Sequence, residues 1–152
     1  MVTPCRKTTA RIIAVNSSEK KGVRKENVTQ GFLKEGYGLI GDAHADSNTH
    51  RQVSLLAMKS IKKMRNLGLE VGPGDFAENL TIQGMDPAFL PLGTRIAVGE
   101  EVLLEITQIG KDCHIGCAIY RQIGKCIMPK KGVFAKVIHG GFVKAGDPIR
   151  VC

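Results

Sequence analysis

The chain has 152 residues, of which 43% are hydrophobic and 24% charged, so it is long enough for one globular domain with its own core. No apolar run reaches the roughly 20 residues of a transmembrane helix, and the N-terminal segment reads as a first strand and not as a secretory signal, so we expect a cytoplasmic protein with no membrane contact. The formal net charge of +8 favours an anionic partner, which could be a phosphorylated small molecule, a nucleic acid or an acidic protein.

Most of the chain is predicted to form short strands separated by glycine and proline. Residues 31–41 mix glycine with apolar residues, as strands with a close backbone approach do. The other predicted strands are 11–15, 79–82, 95–98, 101–108, 134–138 and 148–151, the last two joined through Gly140 and Gly141. In the strand 101–108, Val102, Leu104 and Ile106 fall on one face.

One helix is predicted between the strands, because apolar residues recur at helical spacing from Ala57 to Leu67. Ser54 could cap its start and Gly68 could end it in the left-handed conformation. Many short strands with one helix predict a mainly β fold, a closed or nearly closed barrel with a few helices. The absence of strand–helix alternation disfavours a Rossmann-type nucleotide fold.

The five cysteines are an odd number, and a disulfide framework is not expected in the cytoplasm. Three of them, Cys113, Cys117 and Cys126, fall within 14 residues just after the strand 101–108. Such clustering at a strand exit indicates thiol or metal chemistry.

A nucleophilic or sulfur-carrying cysteine must be a thiolate, which cationic neighbours stabilise. Cys113 is the candidate thiol, and Cys117 could be a second or resolving thiol on the same face of a helical turn. Candidate neighbours in the local sequence are Lys111, His114, Arg121 and Lys125.

Two other interpretations of these cysteines stay open. Zinc could be bound by Cys113, His114, Cys117 and Cys126, although the C-x3-C spacing departs from the usual pairs of a structural zinc site. The cysteines could also be small buried hydrophobic residues.

Polar clusters upstream could form an anion site. Arg51 suits a planar anion such as a phosphate, and His44 and His50 could donate to the same group or be ordinary surface or core histidines. Glu78 and Asn79 could orient a ligand or stabilise a turn.

Taken in order, the motifs resemble one family. These are GDAHAD (41–46), HRQVSLL (50–56), PGDFAENLTIQG (73–84), LPLGTRIAVGEEVLLEITQIGKDCHIGC (90–117) and IMPKKGVFAKVIHGGFVKAGDPI (127–149). The series resembles a stand-alone bacterial-type member of the MOSC family, named after the C-terminal domain of molybdenum cofactor sulfurase. The resemblance runs from about Arg11 to Val151.

The resemblance implies one MOSC domain over residues 1–152, with a barrel like that of pyruvate kinase, that binds the molybdenum cofactor (molybdopterin) or transfers sulfur to it. It implies that Cys113, which follows a Thr-Gln strand end, is the functional thiol, carrying a persulfide or binding molybdenum, with Cys117 as second choice. The implied cofactor pocket consists of Arg51, His44, His50, Glu78, Asn79, Lys111 and Arg121.

The resemblance also implies partners. A molybdoenzyme would accept the cofactor or its sulfur, and a separate donor such as a cysteine desulfurase would supply sulfur in a sulfurtransferase-type activity. Pyridoxal phosphate belongs to the larger sulfurases and is not expected to bind this chain.

The alternative is a non-catalytic molybdopterin-binding module. Nucleic-acid binding is disfavoured, because the chain has no Trp and two Tyr and its basic segments lack interleaved aromatic residues.

Overall fold

The computed structural model describes residues 5–110 and 131–152. The elements in these ranges are β1 (Arg6–Ser17), β2 (Glu26–Val28), β3 (Gln30–Lys34), β4 (Gly38–Leu39), β5 (Val53–Ala57), α1 (Met58–Asn66), β6 (Leu80–Gln83), a 3-10 turn (Pro87–Phe89), β7 (Arg95–Val98), β8 (Val102–Ile109), β9 (Val133–His139), β10 (Gly141–Lys144) and β11 (Pro148–Val151). No helix in these ranges is long and apolar enough to cross a membrane.

Seven strands close into a barrel in the order β11-β7-β8-β9-β5-β6-β1, because β1 pairs with β6 on one side and with β11 on the other. The pairs are antiparallel except for β5 with β6. Val102, Leu104 and Ile106 of β8 are buried in the apolar interior, as their alternation predicts. The mainly β barrel predicted from the sequence is therefore confirmed.

A second, three-stranded sheet of order β10-β3-β4 adds Leu33, Leu39 and Val143 to the same core. Strand β10 was not predicted. Gly140 and Gly141 were expected only to join the strands 134–138 and 148–151. The β9–β10 connection passes so close to β3 that a Cβ on Gly140 would lie 2.4 Å from the Leu33 carbonyl oxygen. Glycine is therefore required for this approach.

The helix begins later than predicted, and Ser54 is not its N-cap. Ser54 lies inside β5, whose residues are all buried and pair with both β6 and β9. This pairing outweighs the local helical periodicity, and Ala57 caps the helix without a side-chain hydrogen bond. The predicted stop is confirmed, since Gly68 has φ +94° and its amide donates to the Arg65 carbonyl.

The expectation of no disulfide is wrong, because Cys5 and Cys152 are joined by one. The first residues of β1 pair with the last residues of β11, with Arg6 opposite Val151. Cys5 precedes β1 and Cys152 follows β11, so closing the barrel brings the two thiols together. Composition alone cannot reveal a contact across 147 positions.

We expect Cys5→Ser to lower the free energy of unfolding under oxidising conditions by about 2–4 kcal/mol, because the bond restricts the unfolded chain over a very long loop. Urea denaturation with and without a thiol reductant measures this. The reductant should destabilise the unsubstituted protein and leave Cys5→Ser unchanged. Equal stability of the two proteins without reductant would contradict the disulfide.

Candidate functional site

The strand register aligns one residue from each of six neighbouring strands or their ends in a row at one end of the barrel. The members of this rim row, in order from β8 to β2, are Gln108, Phe134, Ser54, Asn79, Asn16 and Asn27. Residues far apart in sequence are therefore side by side in the fold. The row is half-buried at Gln108, buried in the middle around Asn79 and exposed at Asn27.

At the Gln108 end, two predicted site residues converge on one oxygen. Arg51 Nε donates to Gln108 Oε1 at 2.9 Å, and His50 Nε2 lies 2.7 Å from the same atom. The Arg51 guanidinium also lies over the Phe134 ring, 5.3 Å from its centroid. The structure thus brings His50 and Arg51 together at the strand end that leads to residue 111.

Two further contacts hold this arrangement in place. The Thr107 hydroxyl lies 2.7 Å from the His50 carbonyl oxygen, which fixes the backbone before Arg51. Gln108 Nε2 donates to the Gly110 carbonyl at 2.8 Å, which leaves the amide oxygen of Gln108 facing Arg51 Nε and His50 Nε2. The sequence analysis did not include Gln108 or Phe134 among the site residues. The position of Gln108 just before the cysteine segment was the available signal.

Asn79 lies in the buried middle of the row, where its side chain joins three strands. Its Oδ1 accepts from the Ser54 amide at 3.0 Å, and its Nδ2 donates to the Asn16 carbonyl at 3.2 Å. The Asn16 side-chain amide in turn donates to the Glu78 carbonyl and to the Thr81 hydroxyl, both at 3.1 Å. These bonds give Asn79 a structural role, and its part in cofactor binding stays a prediction.

Glu78 is fully buried and incompletely hydrogen-bonded. Its Oε2 accepts from the Thr81 hydroxyl at 2.8 Å, whereas Oε1 has no hydrogen-bond partner of acceptable geometry among the described residues. Burial raises the pKa of Glu78 to about 7, and the backbone amide of Gly74 and the Thr81 hydroxyl oppose this only in part. The preceding Ala77 has φ +64°, which is costly for a residue with a Cβ. A strained backbone thus holds a carboxyl group away from water.

His44 belongs to a separate buried cluster around Asp42. Lys25 Nζ lies 2.7 Å from Asp42 Oδ1, and both side chains are inaccessible to solvent. The His44 amide donates to Asp42 Oδ2 at 3.0 Å, and its ring Nδ1 lies 3.7 Å from the same oxygen. Burial acts to raise the pKa of Asp42, but hydrogen bonds to His44 and Lys25 and the Lys25 charge outweigh it and hold the pKa well below its usual range. His44 therefore contacts Asp42, and the structure does not place it on Gln108 beside Arg51.

The remaining predicted site residues, Cys113, Cys117, Lys111 and Arg121, lie outside the described residues, as do His114 and Cys126 of the zinc hypothesis. Within residues 5–110 and 131–152, no three His, Cys, Asp or Glu side chains are grouped as a metal site would require.

We expect Glu78→Gln to change how stability depends on pH. The pKa of Glu78 is about 7 in the folded protein and 4.5 for an ordinary glutamate. The contribution of its carboxyl group to the free energy of unfolding is therefore fully present below pH 4.5 and is lost as the pH rises through 7. The loss amounts to about 3 kcal/mol. Urea denaturation from pH 4.5 to about 8 should show Glu78→Gln gaining this much relative to the unsubstituted protein. Glu70→Gln, at an exposed carboxylate, serves as the control; parallel pH curves for Glu78→Gln and the unsubstituted protein would contradict the shift.

Comparison with known proteins agrees with this architecture. A family model described as the MOSC domain matches residues 41–150. The YuaD protein of Bacillus subtilis superimposes with a TM-score of 0.80 at 18% identity, covering 97% of this chain and 98% of that one. YiiM of Geobacillus stearothermophilus gives 0.69 at 18% identity over 94% and 75% of the two chains, and YiiM of Escherichia coli gives 0.65 at 19% over 96% and 69%.

At 18–19% sequence identity, these superpositions show a shared fold and no more. No curated protein sequence matches significantly. The family model itself spans well over half of the chain and includes both Arg51 and Gln108. This family is associated with the molybdenum cofactor. The ordered motifs, the seven-stranded barrel and the family match agree, and the chain belongs to the MOSC family.

Proposed function

We propose that this protein binds the molybdenum cofactor at the Gln108 end of the rim row and carries sulfur for it on Cys113. The observation that supports this most directly is the convergence of His50 and Arg51 on Gln108. Gln108 stands five positions before Cys113 in the sequence. A candidate anion-binding group therefore lies at the strand end that the candidate thiol follows in the sequence.

The residues at this end fit the phosphate of the cofactor. Arg51 is exposed, and its only side-chain hydrogen bond to a described residue comes from Nε. The terminal nitrogens of its guanidinium can therefore pair with phosphate oxygens in the two-pronged geometry that arginine favours. The contact with Phe134 restrains the guanidinium, and His50 is exposed beside it.

The sulfur step that we propose is an exchange at one sulfur atom. The Cys113 thiolate attacks the outer sulfur of a donor persulfide, the new bond forms at Cys113 Sγ, and the sulfur–sulfur bond of the donor breaks. The donor cysteine leaves as a thiolate, so the step needs no external oxidant. Lys111 and Arg121 are the neighbours that we propose to favour the Cys113 thiolate.

When bound, the cofactor would supply the molybdenum centre that receives sulfur, and the cysteine could also serve as a ligand to it. The partners that we propose are a cytoplasmic cysteine desulfurase as donor and a molybdoenzyme as acceptor. Pyridoxal phosphate would then be bound by the donor and not by this chain.

We expect the protein to gain one sulfur atom when it is incubated with a cysteine desulfurase and cysteine, and intact-mass spectrometry without reductant would detect it. Cys113→Ser should gain none, because its hydroxyl cannot form a persulfide. Cys117→Ser is the matched control and should load normally. Equal loading of Cys113→Ser and the unsubstituted protein would exclude Cys113 as the carrier.

A second candidate function, a cofactor-binding module without sulfur chemistry, is favoured by the same Arg51 geometry, which needs no thiol. It differs from the first in what the cysteine variants should do. Cys113→Ala would retain the cofactor, and no persulfide would form in any variant.

We expect Arg51→Ala to weaken pterin binding roughly 10- to 100-fold, since a hydrogen bond to a charged group contributes about 1.5–3 kcal/mol. Fluorescence of the oxidised pterin released from protein made in a cofactor-producing host measures this. Arg6→Ala, at an exposed arginine near the opposite end of β1, is the control. Undiminished pterin in Arg51→Ala would exclude the rim as the binding site.

A further inference from the structure

A groove lies between helix α1 and the 3-10 turn Pro87–Phe89, apart from the rim row. Its volume is about 420 Å³, and Met58, Ile82, Met85 and Phe89 form its apolar part. Lys59 and Lys62, one helical turn apart, provide basic side chains along it. The groove therefore combines an apolar surface with positive charge.

Phe89 is held in an exposed position by its surroundings. Its side chain is 77% accessible to solvent, although Pro87 in the same turn is buried. Asp86 caps the turn by accepting a hydrogen bond from the Ala88 amide at 2.9 Å. An ordered, exposed aromatic ring is typical of a contact residue at a protein interface.

Lys131 adds a third positive charge beside this ring. Its Nζ lies 4.6 Å from the Phe89 ring centroid and 3.9 Å from Asp86 Oδ2. Neither Lys59 nor Lys62 has an acidic partner within 4.0 Å among the described residues. The charge around the groove is thus positive, with Asp86 as the one acidic side chain lining it in the described part of the chain.

The groove lies near the start of the second described range, through the side chain of Lys131. Lys131 is the first described residue after position 130, and the Gly132 carbonyl accepts from the Gly110 amide at 2.6 Å.

We propose that this groove docks a partner protein through an acidic segment that carries an apolar anchor residue. The three lysines would attract and orient the acidic side chains, and the anchor would pack against Met58, Met85 and Phe89. The apolar surface is mostly thioether and aliphatic with one aromatic ring, which suits a protein side chain better than stacked bases. This docking does not depend on cofactor binding or on sulfur transfer by Cys113.

The test is a selection of random peptides of about a dozen residues displayed on phage, followed by fluorescence-anisotropy titration of the enriched peptides. We expect acidic peptides with an apolar residue to be enriched. Their affinity should fall by roughly tenfold or more in a Lys59→Glu/Lys62→Glu variant and in Phe89→Ser. Lys63→Glu, on the same helix but outside the groove, should change affinity much less per charge.

Other outcomes would overturn the proposal. These are the absence of enrichment, enriched peptides without acidic residues, and losses as large in Lys63→Glu as in the groove variants. A labelled single-stranded oligonucleotide that binds more tightly than the peptides, and that loses affinity in the same groove variants, would identify the partner as a nucleic acid instead. A circular dichroism spectrum of each variant checks that it is folded.

Discussion

The pairing of β1 with two strands at once is the constraint on which this structure depends. Its first half pairs with β11 and its second half with β6, and register shifts between Lys7 and Arg11 and between Ile12 and Ala14 allow one strand to serve both neighbours. This closes the barrel. A slip of one residue would turn each side chain to the opposite face and would disperse the rim row.

The rim row differs in character between its buried middle and its Gln108 end. In the buried middle, Asn79 is hydrogen-bonded through both atoms of its amide, which ties the ends of β1, β5 and β6 together without leaving an unpaired polar group. Glu78 beside it departs from that rule, because its Oε1 has no hydrogen-bond partner in the described part of the chain and its neighbour Ala77 is strained. At the Gln108 end, the exposed side chains of Arg51 and His50 are hydrogen-bonded to Gln108.

Local sequence patterns predicted the features that depend on neighbouring residues. They failed for features that depend on contacts between residues far apart in the sequence. The alternation in β8 and the glycine stop at Gly68 were readable because both follow from a few adjacent positions. Ser54 was misassigned because its hydrogen bonds are to residues more than twenty positions away. Arg51 and His50 were identified by their chemistry. Their shared partner, Gln108, is 57 and 58 positions away and could only be found in the fold.

Gln108 would influence how an anion binds beside Arg51 and His50. Its amide oxygen already faces Arg51 and His50, so these side chains are ordered without any ligand. A phosphate that pairs with the terminal nitrogens of Arg51 would not need to gather mobile side chains from solution. Less conformational entropy would then be lost on association, because Arg51 and His50 would already be held in place before an anion binds.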